Sequence, residues 1–324
     1  MTVLVTGGAG YIGSHVCKAL ARAGAVPVVY DNLSKGHEWA VRWGPLERGD
    51  LLDAARLREV FERHRPEAVM HFAAFIEVGE SVREPQKYYR NNVVGSLTLL
   101  EEMRRAGCGR IVFSSTAAVY GNPVSERITE DHPKDPINPY GRTKRMVERI
   151  IEEFRDAYGF EHAFLRYFNA AGADADGELG EAHDPESHLI PIVLEAAAGE
   201  RDRIGVFGDG YPTRDGTCVR DYVHVEDLAE AHRLALAHLA AGNGSFALNL
   251  GTGRGSTVRE VIGAARRITG RPIPEEVLPN REGDPPVLVA DPTRAGERLG
   301  WKASRSLDDM IASAWAWRSG RRSA

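Results

Sequence analysis

Along the first half of the chain, short apolar runs alternate with amphipathic stretches. The runs at residues 2–6, 26–30, 68–72, 110–114 and 162–168 are mostly apolar, with many β-branched members. Between them, residues 12–23, 54–64, 86–105 and 138–157 place apolar side chains at three- and four-residue spacing. The first set predicts strands and the second helices. Strands without polar alternation are apolar on both faces, so the order predicts an α/β fold with a parallel sheet covered by helices on either side. After Asn169 the pattern changes to a polar stretch at 172–187, shorter elements, and Gly/Pro-rich loops at 207–216 and 278–286. Residues 222–239 read as a strand end plus a helix. The expected organisation is a first domain of residues 1–169, rejoined by about 220–250, and a smaller C-terminal part of residues 170–324.

Composition narrows the classes. The 324 residues are 43% hydrophobic and 27% charged, with a formal net charge of -5. That balance suits a globular enzyme and offers no basic surface for nucleic acid or anionic membrane. Cys17, Cys108 and Cys218 are scattered, with no CxxC pattern. Neither a disulfide framework nor a zinc site is expected, and no metal. No apolar run approaches the ~20 residues of a membrane span. The first residues already read as a strand and a glycine loop, not a signal peptide, so a cytoplasmic location is expected.

Gly7-Gly8-Ala9-Gly10-Tyr11-Ile12-Gly13 follows the first strand and opens the first helix. Gly7 permits a tight turn, Gly10 a close approach to a pyrophosphate, and Gly13 close packing of helix on strand. The helix N-terminus offers free N–H groups to phosphates. Asp31 ends the second strand, where a carboxylate accepts the ribose hydroxyls of NAD and repels the 2′-phosphate of NADP. Lys35 and His37 stand close enough in sequence to soften that discrimination. These features predict a Rossmann-type doubly wound sheet that holds NAD. Asp50 and Leu51 follow a further short strand; taken alone they read more readily as a turn or cap than as a contact to the adenine end.

Tyr140-Gly141-Arg142-Thr143-Lys144 is the sole Tyr-x-x-x-Lys of the chain. Asn138 and Pro139 suit the N-cap and first position of a helix. Tyr140 and Lys144 then share one helix face. A free phenol titrates near ~10, and a nearby cation favours the phenolate that a general base requires. Thr116 ends the strand Ser114-Ser115-Thr116, where the crevice of such a sheet opens, and offers a hydroxyl to both phenol and substrate.

Further runs carry a specific resemblance. Thr6 to His15, Tyr30-Asp31-Asn32-Leu33-Ser34, His71-Phe72-Ala73-Ala74 and Leu165-Arg166-Tyr167-Phe168-Asn169 resemble the UDP-glucose 4-epimerase family of extended short-chain dehydrogenases/reductases. So do Tyr211-Pro212-Thr213, Val219-Arg220-Asp221-Tyr222-Val223-His224 and Arg281-Glu282-Gly283-Asp284 in the second half. The resemblance implies an NAD-dependent isomerase of UDP-glucose and UDP-galactose, and a homodimer. It implies cofactor contacts from Tyr11, Ile12, Asp31, Asn32, Gly36, Asp50, Leu51, Phe72, Ala73, Asn91 and Phe168, beside the glycines, Tyr140 and Lys144. It assigns Thr116, Asn169, Leu189, Phe207, Arg220, Arg281 and Asp284 to the UDP-sugar, and Leu288 to the wall beside sugar C2. Tyr140 is the implied acid/base, with Thr116 and Lys144 beside it. Three positions depart from the family pattern: Thr116 stands where many relatives have Ser, Ile76 where some have Lys, and His188 where some have Asn. Ala117-Ala118 argues against a 4,6-dehydratase, which carries an Asp-Glu pair there. A non-catalytic NAD-sensing regulator is disfavoured because Tyr140, Lys144 and Thr116 are all kept.

Overall fold

The computed structural model describes residues 1–280 and 285–321. Its first strands are β1 (Thr2–Thr6), β2 (Val26–Asp31), β3 (Leu46–Arg48), β4 (Ala68–His71), β5 (Arg110–Thr116) and β6 (Glu161–Tyr167). There follow β7 (Asn169–Ala171), β8 (Ile204–Phe207), β9 (Val219–His224), β10 (Phe246–Leu250), β11 (Gly255–Thr257), β12 (Glu275–Leu278) and β13 (Val287–Leu288). Seven of them form one sheet in the order β3-β2-β1-β4-β5-β6-β10. Every pairing in it is parallel. The chain winds outward from β1 to β3, then crosses back to β4 and winds the other way. This is the doubly wound arrangement, and its crevice opens between β1 and β4, beyond their carboxyl ends.

The apolar runs are explained by two cores. Val3, Val5, Met70 and Val112 belong to one cluster, with the Tyr11–Arg22 and Val225–Ala240 helices. Leu4, Val28, Val69, Ile111 and Phe113 belong to the other, beneath the Ala54–His64, Gly95–Arg105 and Pro139–Tyr158 helices. Neighbouring residues of one strand thus enter opposite cores, so the runs lack polar alternation.

The expected helix at 86–105 is not one regular α-helix. A short helix, Pro85–Tyr88, leads through a π-helical turn, Tyr89–Val94, into Gly95–Arg105. Buried Asn92 lies in that turn. Its amide accepts from Phe75 N at 2.9 Å and donates to Phe75 O at 3.0 Å and Thr143 Oγ1 at 3.1 Å. A side chain bound on both sides to other segments is a sufficient local reason for the wider turn, a device frequent at functional sites.

Residues after 169 divide between the two bodies. The Val225–Ala240 helix packs against Tyr11–Arg22, and β10 forms an edge of the large sheet. The remainder forms a four-stranded sheet around β9, flanked by β7, β11 and β13, and a two-stranded pair, β12-β8. Asp221, fully buried on β9, ties this sheet together. It accepts from Thr252 N at 2.8 Å, Gly253 N at 3.0 Å and Ala290 N at 3.1 Å.

Candidate functional site

At the carboxyl end of β1, three backbone segments meet with no room for side chains. Gly7 has φ +72°, and a Cβ on it would lie 2.5 Å from Ala73 N. A Cβ on Gly13 would lie 2.3 Å from Gly7 O, and one on Gly36 would lie 2.9 Å from Ala9 Cβ. Gly10 is the N-cap of the Tyr11–Arg22 helix and has no side chain to satisfy the first turn, so those N–H groups face the crevice unclaimed by a cap. Phe72 sends its ring away from the loop, onto His232 at 4.8 Å between centroids, while Ala73 covers Gly7 with its backbone. Tyr11 donates through its hydroxyl to Gly172 O at 2.6 Å. It therefore clasps the segment after β7.

Asp31 is buried, and burial pushes its carboxyl up, against the N–H bonds from Leu33 at 2.8 Å and Ala9 at 3.0 Å. A carboxylate has about four lone-pair sites, so acceptor capacity remains for ribose hydroxyls. Asn32 donates to Asp50 Oδ2 at 2.9 Å, and Tyr30 donates to Asp50 O at 2.8 Å. Leu51 is buried in the core, where Gly95 makes room for it. Lys35 and His37 do not stand free beside Asp31. Lys35 donates to Asp184 O at 3.0 Å, and His37 Nε2 lies 2.6 Å from Ala182 O. The loop at 182–184 thus holds both side chains by one carbonyl contact each, and His37 stays close enough for its charge to act on Asp31. Asn91 donates to Asn92 Oδ1 at 2.9 Å.

The Pro139–Tyr158 helix brings the second group of residues. Asn138 accepts from Gly141 N at 2.9 Å, and the helix ends on Gly159 at φ +74°. A Cβ on Gly141 would lie 2.4 Å from Ala118 O. The helix start therefore sits directly on the turn after β5, and this sets Tyr140 beside Thr116. Burial pushes the Tyr140 phenol up to about 12, opposed by a hydrogen bond with the Thr116 hydroxyl. One turn on, Lys144 is buried and donates to Ser114 O at 2.8 Å. Burial drives its ammonium down to about 7, opposed by Glu148. The sequence reading made Lys144 the cation that lowers the phenol; here the phenol responds to burial and Thr116, and the amine is turned to the β5 backbone.

Beyond β6 the chain enters the smaller sheet. Phe168 alone separates β6 from β7, and Asn169 pairs with Tyr222 of β9. Arg220 lies on the same strand, opposite Leu288 of β13. Phe168 and Leu288 pack on one cluster of Val119, Tyr120 and Ile128. Phe168, Asn169, Arg220 and Leu288 thus share one seam next to Thr116, whose register partner is Tyr167. Leu189 opens the Leu189–Ala197 helix, and Phe207 ends β8, more than one-third exposed. Ile76 is exposed. Arg281 and Asp284 lie outside the described residues.

Two arrangements escaped the sequence reading. Buried His71 lies between Thr6 Oγ1 and Ser96 Oγ, both at 2.7 Å, and burial holds its ring neutral, with a pKa of about 3. Glu148, wholly buried, accepts from Ser115 at 2.7 Å and from Arg166 at 2.7 and 2.9 Å, bracing β5, β6 and the Tyr140 helix. The run 144, 147, 148, 151 of buried residues marks that face, yet a Glu within it gives no partner from sequence alone.

A phosphate-ready glycine loop, a ribose-end carboxylate, and a Thr-Tyr-Lys group at the same crevice define a dinucleotide-dependent enzyme of the dehydrogenase type. Residues 3–251 match the NAD dependent epimerase/dehydratase family, and the chain belongs to that family. It is 55% identical to the UDP-glucose 4-epimerase of Rhizobium leguminosarum bv. trifolii over 98% of this chain and 97% of that one. The UDP-glucose 4-epimerase of Brucella ovis, solved with NAD, superposes with a TM-score of 0.96 at 53% identity, covering 97% of both chains. The Bifidobacterium longum enzyme, solved with NAD+ and UDP, gives 0.93 at 40% identity over 99% of both. Among the described residues, no helix is long and apolar enough to cross a membrane.

Proposed function

We propose that the chain interconverts UDP-glucose and UDP-galactose by reversible hydride transfer at sugar C4, with NAD held throughout. The observation that carries this is the meeting of Thr116, Tyr140 and Lys144 at the crevice of the glycine loop, in a chain matched along nearly its whole length by UDP-glucose 4-epimerases. The crevice fits the cofactor: Gly7, Gly13 and Gly36 keep a backbone-lined cradle that any Cβ would fill, and Asp31 closes its ribose end. Gly7, Gly10, Tyr11, Ile12 and Gly13 take the pyrophosphate, Asp31, Asn32, Asp50 and Leu51 the adenosine end, and Phe72, Ala73, Asn91 and Phe168 line the rest. When bound there, NAD would supply the hydride acceptor and donor for C4, and its oxidised ring would place a positive charge beside the phenol.

Within that frame the residues divide the work. The Tyr140 phenolate takes the O4 proton as the C4–H bond breaks, which leaves a 4-keto sugar. Thr116 holds the phenol and the sugar oxygen in one line. Lys144 orients the nicotinamide ribose. Arg220, with Arg281, grips the diphosphate through forked hydrogen bonds, while Asn169, Leu189, Phe207 and Asp284 enclose the nucleotide sugar. The keto sugar turns about its bonds to the diphosphate, receives the hydride on its other face, and takes the proton back from Tyr140. A cytoplasmic homodimer belongs to the same reading, and light scattering tests the dimer.

The deciding experiment incubates UDP-galactose with the purified protein and no added NAD, followed by NMR of the anomeric protons. UDP-glucose should accumulate to an equilibrium mixture. An unchanged spectrum from protein that carries NAD would refute the assignment.

A further inference from the structure

The polar stretch after β7 gathers Glu181, His183, Glu186 and His188, whose ligand-type atoms all lie within 4.8 Å of one another. His183 Nδ1 is 3.1 Å from Glu181 Oε1 and 3.8 Å from Glu186 Oε2. His188 Nδ1 is 2.7 Å from Glu181 Oε1 and 3.4 Å from Glu186 Oε1. Donors bound at about 2.0–2.2 Å around a tetrahedral cation stand roughly 3.3–3.6 Å apart, and these separations straddle that edge.

The two carboxylates attract both imidazoles and raise the proton affinity of His188, so a proton competes with any metal ion there, yet the pairing is imperfect. Both Nδ1 atoms are buried from solvent, and neither is aligned to hydrogen-bond the oxygens it approaches. Two imidazole nitrogens and two carboxylates converging this closely on one point also form the arrangement of fellow ligands to a shared cation. Both carboxylates are nearly buried, with side chains 7% exposed. Glu186 is fixed from behind by the N–H groups of Ser187 at 2.7 Å and His188 at 2.8 Å, the kind of outer support that metal ligands carry. A neighbouring acidic cluster shows the contrast. Asp174, Asp176 and Glu178 already surround a cation, since Lys18 Nζ lies 2.7 Å from each.

We infer that Glu181, His183, Glu186 and His188 bind a divalent cation of the zinc class in a closed structural site. Two imidazoles with two carboxylates favour zinc-like cations over calcium or magnesium, which take mainly oxygen. Four protein ligands leave no open position for catalysis. The site fastens one loop between two others. His183 stands edge-on to Tyr11 at 6.5 Å between centroids, and Ala182 and Asp184 meet His37 and Lys35 through their carbonyls. At its far end, His188 immediately precedes the Leu189–Ala197 helix. The spacing E-x-H-x-x-E-x-H contains no cysteine, so a search for zinc by cysteine pattern passes over it.

The test uses untagged full-length protein, stripped with a chelator and then given Zn²⁺ or Co²⁺ alone. Elemental analysis after buffer exchange should find one zinc per chain, and Co²⁺ should give the intense visible band of tetrahedral coordination. His183→Asn and Glu186→Gln should each weaken Zn²⁺ by at least about tenfold. Zn²⁺ should raise the thermal midpoint of the native sequence and leave that of His183→Asn/His188→Asn unmoved. Zinc-free native protein after loading, or zinc retained equally by the variants, overturns the inference and leaves the four groups as a charged imidazole–carboxylate cluster.

Discussion

Lys144→Met isolates the electrostatic cost of burying an amine at the base of the site. Only 3% of Lys144 is exposed, and its Nζ has one carbonyl partner, Ser114 O at 2.8 Å. Burial lowers its pKa from 10.5 to about 7. The unfolded chain keeps the proton until about 10.5, whereas the folded chain gives it up near 7. Between those values the unfolded state binds more protons, so this group makes stability rise with pH. At about 1.4 kcal/mol per pH unit, the rise between pH 7 and 10 is on the order of 4 kcal/mol. Methionine keeps most of the chain length and cannot titrate. At pH 7 the variant is freed of that penalty and gives up only the roughly 1–2 kcal/mol of the hydrogen bond to Ser114, so it should be the more stable of the two there. Urea unfolding at several pH values, with nucleotide content matched, gives both curves. Subtracting the variant from the native sequence cancels every other titrating group. The difference should climb with pH by a few kcal/mol. A difference that stays flat, or falls, would mean that the amine keeps its proton in the folded state and that burial does not dominate its environment.

Other substitutions test separate parts of the site. Tyr140→Phe should lower kcat by at least ~10²-fold, the scale of a lost general base, with UDP affinity unchanged by calorimetry; full activity would remove Tyr140 from the mechanism. Gly13→Ala places a Cβ 2.3 Å from Gly7 O, so the purified protein should carry little NAD when denatured and weighed by mass spectrometry, and a full complement would contradict the cradle. Glu148→Ala strands the buried Arg166 guanidinium and should cost roughly 3–5 kcal/mol in urea unfolding, while Glu148→Leu/Arg166→Met should recover more than half of it. Leu288 is intermediate in size, so N-acetylated UDP-hexoses should turn over weakly. Leu288→Ala should raise their kcat/KM within the ~1–3 kcal/mol range of steric discrimination, and Leu288→Tyr should abolish it; an unmoved ratio to the plain hexoses would place the gate elsewhere.

What could be read from sequence was local. The glycine loop, Asp31 at the end of β2, and Tyr140 with Lys144 depend on spacing within one strand–turn–helix unit or one helical turn, and the fold places each as its spacing requires. Thr116 was legible because a hydroxyl at a strand end meets the crevice of any such sheet. The orientation of Lys144 toward Ser114 was not, because it depends on a strand 30 residues away. The same limit applies to Lys35 and His37, held by a loop some 145 to 149 residues later. The helix at 86–105 missed its π-turn because Asn92 binds Phe75 and Thr143, neither of them in that helix. In the second half no periodic pattern marked Asn169, Leu189, Phe207, Arg220 or Leu288; only the resemblance singled them out.

The join between the two sheets explains how a site built from both halves can hold its geometry. β6 belongs to the large sheet and β7 to the small one, with Phe168 as the single residue between them. Thr116 is fixed to β6 through its partner Tyr167. Arg220 and Leu288 are fixed to β7 through β9. A hinge needs a few backbone residues able to absorb a change of φ and ψ. One residue, packed with Leu288 against Val119, Tyr120 and Ile128, has little such freedom. Residues 225–250 return to the large sheet and bind the halves a second time, through the Val225–Ala240 helix and β10. The two halves are therefore poorly suited to opening as rigid bodies. On the proposed assignment of Leu288 and Arg220, freedom for a keto sugar to turn comes from the width of the pocket at Leu288, while the crossing at Phe168 keeps the diphosphate end and the Tyr140 end at a set separation.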